Sequence, residues 1–445
     1  MAAALCASAQ NTNSGYFLDG YTYRYQMNPA IGNDKGFVSM PGLGNLNVAV
    51  RGNLHLRDVI YNVNGKTCLF TNPGISASEV LDGFSDRNKL NADVKANVLS
   101  AGFKAFNGYN TISINARSAV NAVVPKSFIE LAKEGVSNKT YEISDLGARG
   151  IGFAEIALNH SHDIKAVKGL RIGATAKFLL GIASLDAQFH NAHLTLGENE
   201  WTATTNAEVF ANIGGFQYEM SDKKDRHQYV DGANLDGDGS IGVNGFGMAF
   251  DLGATYKWNN FNFSAAVLDL GFISYSKTQV ASTNGDRTFN TNAYTFNPDD
   301  DADNSFSSEW KRMRNGLEDL YQLQNMGEQG SHGMSLGATV NLGAEYELPA
   351  YRKVHFGLLS STRIHGKYSW TEARLSANYA PAKVFSMDAN VVAGTYGVGF
   401  GWLLNFHTTG FNFFLGMDQT LGKVTKQFAP LSSNASVTLG MNFLF

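Results

Sequence analysis

The sequence predicts an all-β protein, a transmembrane antiparallel β-barrel of fourteen strands or at most sixteen, and three observations lead there. The first is strict alternation. At the C-terminus Ala435, Val437, Leu439, Met441, Phe443 and Phe445 fall on one face while Ser436, Thr438, Gly440 and Asn442 fall on the other, because successive side chains of a strand point to opposite sides. Only Leu444 departs from the pattern. The second is repetition. Tyr396, Val398, Phe400, Trp402, Leu404 and Phe406 alternate with Gly397, Gly399, Gly401 and Asn405, and the same rhythm recurs from Met334 to Tyr346 and from Phe246 to Trp258. Such runs exceed the roughly 5–6 residues of an ordinary strand and match the about 9–11 that a tilted membrane strand needs. The third is the chemistry of the second face, which is rich in glycine and carries charge, as the wet interior of a membrane barrel does. A water-soluble β-protein would need another layer to bury these apolar faces, and little of the chain could form one.

Bulk properties agree. Charged residues make up 17% of the 445, below the roughly 25% of soluble domains, and Pro is rare at 8 residues, so neither a linker nor a domain boundary is visible. No run approaches the 18 or more apolar residues of a membrane helix, a test that barrel strands evade because half their residues are polar. A net charge of −4 without a clustered basic face argues against nucleic acid as a partner. Residues 1–9 read as a signal-peptide remnant, with Ala7-Ser8-Ala9 as a small-x-small cleavage site before Gln10. Bulky Leu5 argues against lipidation of Cys6. Processing would leave Cys68 alone, and no internal disulfide could form.

Residues 10–45 do not alternate as a wall strand should. They hold Tyr21, Tyr23 and Tyr25, then Asn28-Pro29-Ala30, then the turn residues Gly32, Gly36, Pro41, Gly42 and Gly44. A segment folded into the lumen as a plug accounts for this turn chemistry better than a loose arm. An Asn-Pro-Ala triplet ahead of a barrel resembles the hatch of the FadL-like outer-membrane barrels, which transport long-chain fatty acids and other hydrophobic compounds; PorV-like secretion barrels look related. The whole layout also resembles Bacteroidota barrels of the same superfamily classed as a domain of unknown function. The resemblance implies the bacterial outer membrane as location and fourteen strands.

The barrel occupies 46–445. Its strands read as 46–56, 92–106, 109–121, 142–159, 168–180, 184–196, 200–212, 245–258, 260–275, 333–347, 352–364, 367–380, 383–393, 396–406, 410–418 and 434–445, sixteen in all, or fourteen if 184–212 is a loop hairpin. With the C-terminus on the periplasmic side, connections sort by parity. Asn107-Gly108, Asn259-Asn260, Leu348 to Tyr351, Pro381-Ala382 and Thr408-Thr409 fall inside and are short; 57–91, 122–141, 213–244, 276–332 and 419–433 fall outside as long extracellular loops. Met441, Phe443 and Phe445 read as the insertion signal of the last strand. The register flip from Phe261, Phe263, Ala265, Val267 to Leu268, Leu270, Phe272 predicts a bulge near Asp269.

Two loops carry motifs. Asn234, Asp236, Asp238 and Ser240 supply oxygens at the first, third, fifth and seventh positions of a calcium loop, with Gly239 at the sixth, yet Gly245 stands where the bidentate acid belongs. Calcium is the one candidate cofactor; an acidic surface turn is the alternative. Asp299, Asp300, Asp301 and Asp303 precede a helix expected around Glu309 to Asn325, and another is expected from Ser127 to Glu134. Strand phase turns Arg171, Lys177, Asp251, Lys257, Glu345, Arg363, Asp388, His407 and Asp418 toward the lumen, and their mixed signs suggest a hydrogen-bonded interior rather than an ion-selective pore. No His-Glu-x-x-His or phosphate loop is present, so an enzyme is not expected. The reading is an outer-membrane barrel for facilitated diffusion of small hydrophobic or amphipathic molecules. Its alternative is an outer-membrane scaffold whose loops bind partner proteins in a PorV-like, secretion-associated role.

Overall fold

The computed structural model describes residues 12–135, 137–197, 200–222, 227–235, 242–295, 304–419 and 434–445. The signal-peptide reading, Asp236, Asp238 and Ser240 of the calcium motif, and Asp299, Asp300, Asp301 and Asp303 lie outside these residues.

The alternating segments pair into a closed fourteen-strand antiparallel barrel. Its strands are β1 (Phe37–Ser39 continued by Leu46–Gly52), β2 (Arg87–Ala105), β3 (Gly108–Pro125), β4 (Gly147–Asp163), β5 (Leu170–Leu196), β6 (Gly245–Trp258) and β7 (Phe261–Ser282). They continue as β8 (Gln324–Ser335 and Ala338–Glu347), β9 (Val354–Ile364), β10 (Trp370–Ala382), β11 (Phe385–Gly394), β12 (Gly397–His407), β13 (Phe411–Met417) and β14 (Ala435–Leu444). Each pairs with the next, and β1 pairs with both β2 and β14 to close the cylinder. Closure removes the sheet edges that no bilayer would tolerate.

Three expectations need correction. Segments 168–180 and 184–196 are one strand, β5: a register shift between Gly152 and Phe153 leaves Ile182 as an extra residue, and the bulge mimics a turn because either device interrupts alternation. Segment 200–212 is a real strand, Trp201–Asn212, but it lies beyond the end of β6, where it pairs with the far extensions of β5 and β7 and with Arg287–Asn290. The wall also begins before Leu46, since Phe37–Ser39 already pairs with β14 and β2. Pro41, Gly42 and Gly44 interrupt that strand without ending it.

Short turns gather at the rim that holds the C-terminus, including Phe106-Asn107 and Asn259-Asn260, while the long connections gather at the other. The outward face is apolar: Leu252, Leu342, Leu358, Leu375 and Phe443 are each at least half exposed. Aromatic pairs ring the short-turn rim, among them Trp258–Phe261, Phe261–Tyr346 and Phe385–Phe406, where amphipathic rings suit a membrane boundary. Beyond the long-loop rim, Ile75, Val80, Phe84 and Ile129 form a separate small core from the first two long connections. The two helices foreseen from sequence run Lys126–Glu134 and Phe306–Tyr321.

Candidate functional site

The interior of the barrel is built in three levels. At the short-turn end, residues 12–36 are held by side chains from strands all round the cylinder, which is feasible only for a segment lying inside it. Asn13 and Ser14 donate backbone N–H to the Asp418 carboxylate of the β13–β14 connection at 3.0 and 2.7 Å. Tyr23 donates its hydroxyl to Asn442 of β14 at 2.8 Å, and Asn341 of β8 donates to the Met27 carbonyl at 3.0 Å. Asn159 of β4 and Arg171 of β5 donate to the carbonyls of Pro29 and Ala30. The Asn28 amide donates to the Ala254 carbonyl while its oxygen accepts from the Ala30 N–H. Bare glycines make room for this approach: a Cβ on Gly173 would stand 2.1 Å from the Pro29 carbonyl oxygen, and one on Gly253 would stand 2.1 Å from Asn28 Oδ1.

Tyr21, Tyr23 and Tyr25 are buried against Phe37, Tyr109, Leu359, Leu403 and Phe414. The last four are apolar positions on the otherwise polar inner face. Leu444, the one exception in the last strand, packs on the same cluster. Its departure from alternation therefore has a cause: it is an inward position that meets a ring instead of water.

The middle level is a web of buried charge. Asp269 lies in the left-handed region at φ 57°, where two residues of β7, Leu268 and Asp269, oppose one residue of β6. The bulge foreseen from the register flip is thus present, and it turns both side chains inward. Asp269 accepts from Arg117 at 2.8 Å and from Lys177 at 2.7 Å, and its backbone N–H donates to Asp251 at 2.7 Å. Arg117 also binds Glu155 at 2.7 Å, and Lys177 binds Asp251 at 2.7 Å. Beside this, Arg51 lies 3.1 Å from Asp418, and Arg374 lies 3.2 Å from Glu372. Each charge has an opposite within reach, the condition for burying it at all. A void of about 20 Å³ lies among Tyr25, Lys95, Glu155, Lys177 and Asp251.

Above the web, Ile151, Phe153, Leu179, Ile273, Tyr275, Met334 and Leu336 form an apolar cluster that faces inward. The β9–β10 connection, 365–369, then folds across the mouth. Lys367 donates to the Leu146 carbonyl and Lys89 to the Ser369 carbonyl. Where β8 breaks at Leu336-Gly337 opposite the β7 bulge, a notch of about 410 Å³ opens in the wall. Leu270, Ala338 and Ile364 line its outer part, and Arg149, Asp269, His365 and Tyr368 line its inner part.

Of the side chains chosen by phase, Lys177 and Asp251 sit in the web. Arg363 donates to the Leu336 carbonyl at 2.6 Å, Asp388 accepts from Asn390, and Glu345 meets His355 at 3.0 Å. Arg171, Lys257 and His407 lie near the short-turn rim, Lys257 3.9 Å from Glu347 and His407 beneath Gly20. Asn234 lies apart from all of these, in the hairpin of Phe216–Met220 with Val230–Leu235. Met441 is half-buried, and Phe443 and Phe445 are exposed. Phase reading passed over Arg51, Asp93, Lys95, Arg117, Glu155, Glu372 and Arg374, although they obey the same alternation in β1 to β4 and β10. Among the described residues no cluster of three His, Cys, Asp or Glu side chains could hold a metal ion.

Fold and interior together define a transmembrane β-barrel with a packed lumen and a break in its wall. Residues 29–418 match the family of unknown function DUF5723, and the chain belongs to that family. No curated protein matches it. Among solved structures it is similar to a Pseudomonas aeruginosa FadL homologue, 10% identical over 99% of this chain and 98% of that one, with a TM-score of 0.43. The Ralstonia pickettii toluene transporter TbuX is 8% identical over 99% and 94%, with a TM-score of 0.41. The Pseudomonas putida toluene transporter TodX is 8% identical over 99% and 98%, with a TM-score of 0.41.

Proposed function

We propose that the protein is a bacterial outer-membrane conduit for passive movement of small hydrophobic or amphipathic molecules, with the short-turn rim periplasmic and residues 12–36 as its plug. The observation that carries this reading is the notch at the Asp269 bulge. It joins lipid-facing Leu270 and Ile364 to the lumen-facing groups Arg149 and His365 within one cavity of about 410 Å³, a size suited to a small ligand. A molecule with an apolar and a polar end finds both surfaces there. Because the lumen beneath the notch is filled, passage requires the 365–369 connection or the plug to shift.

The test is uptake of a hydrophobic fluorophore into vesicles holding the purified barrel. Uptake should exceed that of empty vesicles and fall severalfold in Ala338→Trp, which fills the notch. Equal uptake by both proteins would remove the conduit reading. Two observations favour a second reading, a scaffold for partner proteins: buried ion pairs cross the lumen at the level of the charge web, and the long connections carry a core of their own in Ile75, Val80, Phe84 and Ile129. Uptake no greater than that of empty vesicles would favour it.

A further inference from the structure

We propose that the notch binds a phosphate-type oxyanion, carried on a lipid of the surrounding leaflet or free in solution. This deepens the conduit reading and uses the same cavity, but binding can be measured without any flux.

Three polar groups at the notch have nothing to donate to. Arg149 Nε, His365 Nδ1 and the Tyr368 hydroxyl are buried, and none of the three has a hydrogen-bond partner among the described residues. All three side chains line the notch. Buried polar groups are nearly always satisfied, so three orphans around one cavity point to a ligand that satisfies them together.

Their chemistry selects the ligand. Arg149 Nη1 lies 3.1 Å from His365 Nε2, and a guanidinium can only donate, so Nε2 accepts. In the neutral imidazole the proton is then on Nδ1, the orphaned atom, which is therefore a donor. Burial, then the guanidiniums of Arg363 and Arg149, push the His365 imidazole down to about 3, which keeps it neutral at physiological pH. The Tyr368 hydroxyl and Arg149 Nε are donors as well. Lys367 adds an ammonium that uses one hydrogen on the Leu146 carbonyl.

Carboxylates that could compete are engaged. Asp269 is held by Arg117 and Lys177, Asp186 by Gln188, and Asp145 by Arg87. The cavity thus offers two formal positive charges and more donors than the two oxygens of a carboxylate can fill. A phosphate, with charge near −2 and three or more acceptor oxygens, matches both counts. Its position supports a lipid source. Ile364 is the last residue of β9 and faces outward, so the notch opens where the apolar belt gives way to the long-loop rim.

The experiment titrates the full chain, purified in detergent, by calorimetry with dioctanoyl phosphatidic acid, inorganic phosphate and octanoate in parallel. Saturable binding of phosphatidic acid or inorganic phosphate, weakened about tenfold or more in Tyr368→Phe and in Arg149→Gln, supports the site. Tighter binding of phosphatidic acid assigns a lipid source, and equal binding of both assigns the free anion. Tyr368→Phe removes one hydroxyl only, and an unchanged heat-dependent gel shift verifies that each variant keeps its barrel. Octanoate binding as tightly as phosphatidic acid, or both variants binding like the parent, would overturn the proposal. Phosphate binding without uptake into vesicles leaves this site standing and removes the conduit reading alone.

Discussion

At the scale of single residues, Asp269 has the most to answer for. It lies at φ 57°, outside the comfortable region for a residue with a side chain, and is held there by Arg117, Lys177 and its own N–H on Asp251. Replacing Asp269 with Ala leaves two buried cations short of a partner, so unfolding in urea should show a loss of about 3–5 kcal/mol. A destabilisation near zero would mean that water reaches the web. His365 predicts a pH dependence. Its folded value of about 3 lies below the 6.5 of an unhindered imidazole, so the unfolded chain binds a proton that the folded chain refuses. The contribution is fully present above pH 6.5 and is lost as pH falls toward 3. In His365→Asn that slope between pH 6.5 and 3 should shrink in acid-unfolding curves.

At the scale of elements, residues 12–36 take hydrogen bonds from strands on every side of the cylinder. Their removal should raise single-channel conductance in a planar bilayer from near background to a resolvable step. Conductance that stays flat would place the barrier in the charge web and the 365–369 connection instead. The segment's character is visible in sequence as a stretch that refuses to alternate, with tyrosines and an Asn-Pro-Ala turn. Its partners are not, because Asn159, Arg171 and Asn341 lie on separate strands and meet it only after the cylinder has closed. Strand β5 teaches the opposite lesson. Its bulge at Ile182 looks in sequence like a turn, since both interrupt the period of two, and only pairing with β4 distinguishes them.

At the scale of the whole molecule, an outward face of Leu, Phe, Val and Trp encloses a polar interior, the reverse of a soluble protein. The chain should therefore remain in the membrane pellet through salt and urea washes and enter solution only with detergent, migrating differently on gels before and after boiling. A stable dissolved monomer without detergent would contradict the architecture. The long-loop end carries the Trp201–Asn212 strand and the Phe306–Tyr321 helix well away from the short turns.

Alternation determined the barrel, the strand directions, the short-turn and long-loop ends and the bulge at Asp269, because a period of two is a local property that lipid on one side and polar lumen on the other impose on each strand separately. Phase alone also turned Lys177, Asp251, Glu345 and Asp418 inward. The count of fourteen rather than sixteen, the pairing of Asp269 with Arg117 and Lys177, and the meeting of Arg149, His365 and Tyr368 at a gap in the wall were decided by tertiary structure. These residues belong to four different strands and one connection, and what joins them is closure of the sheet, which no local pattern encodes.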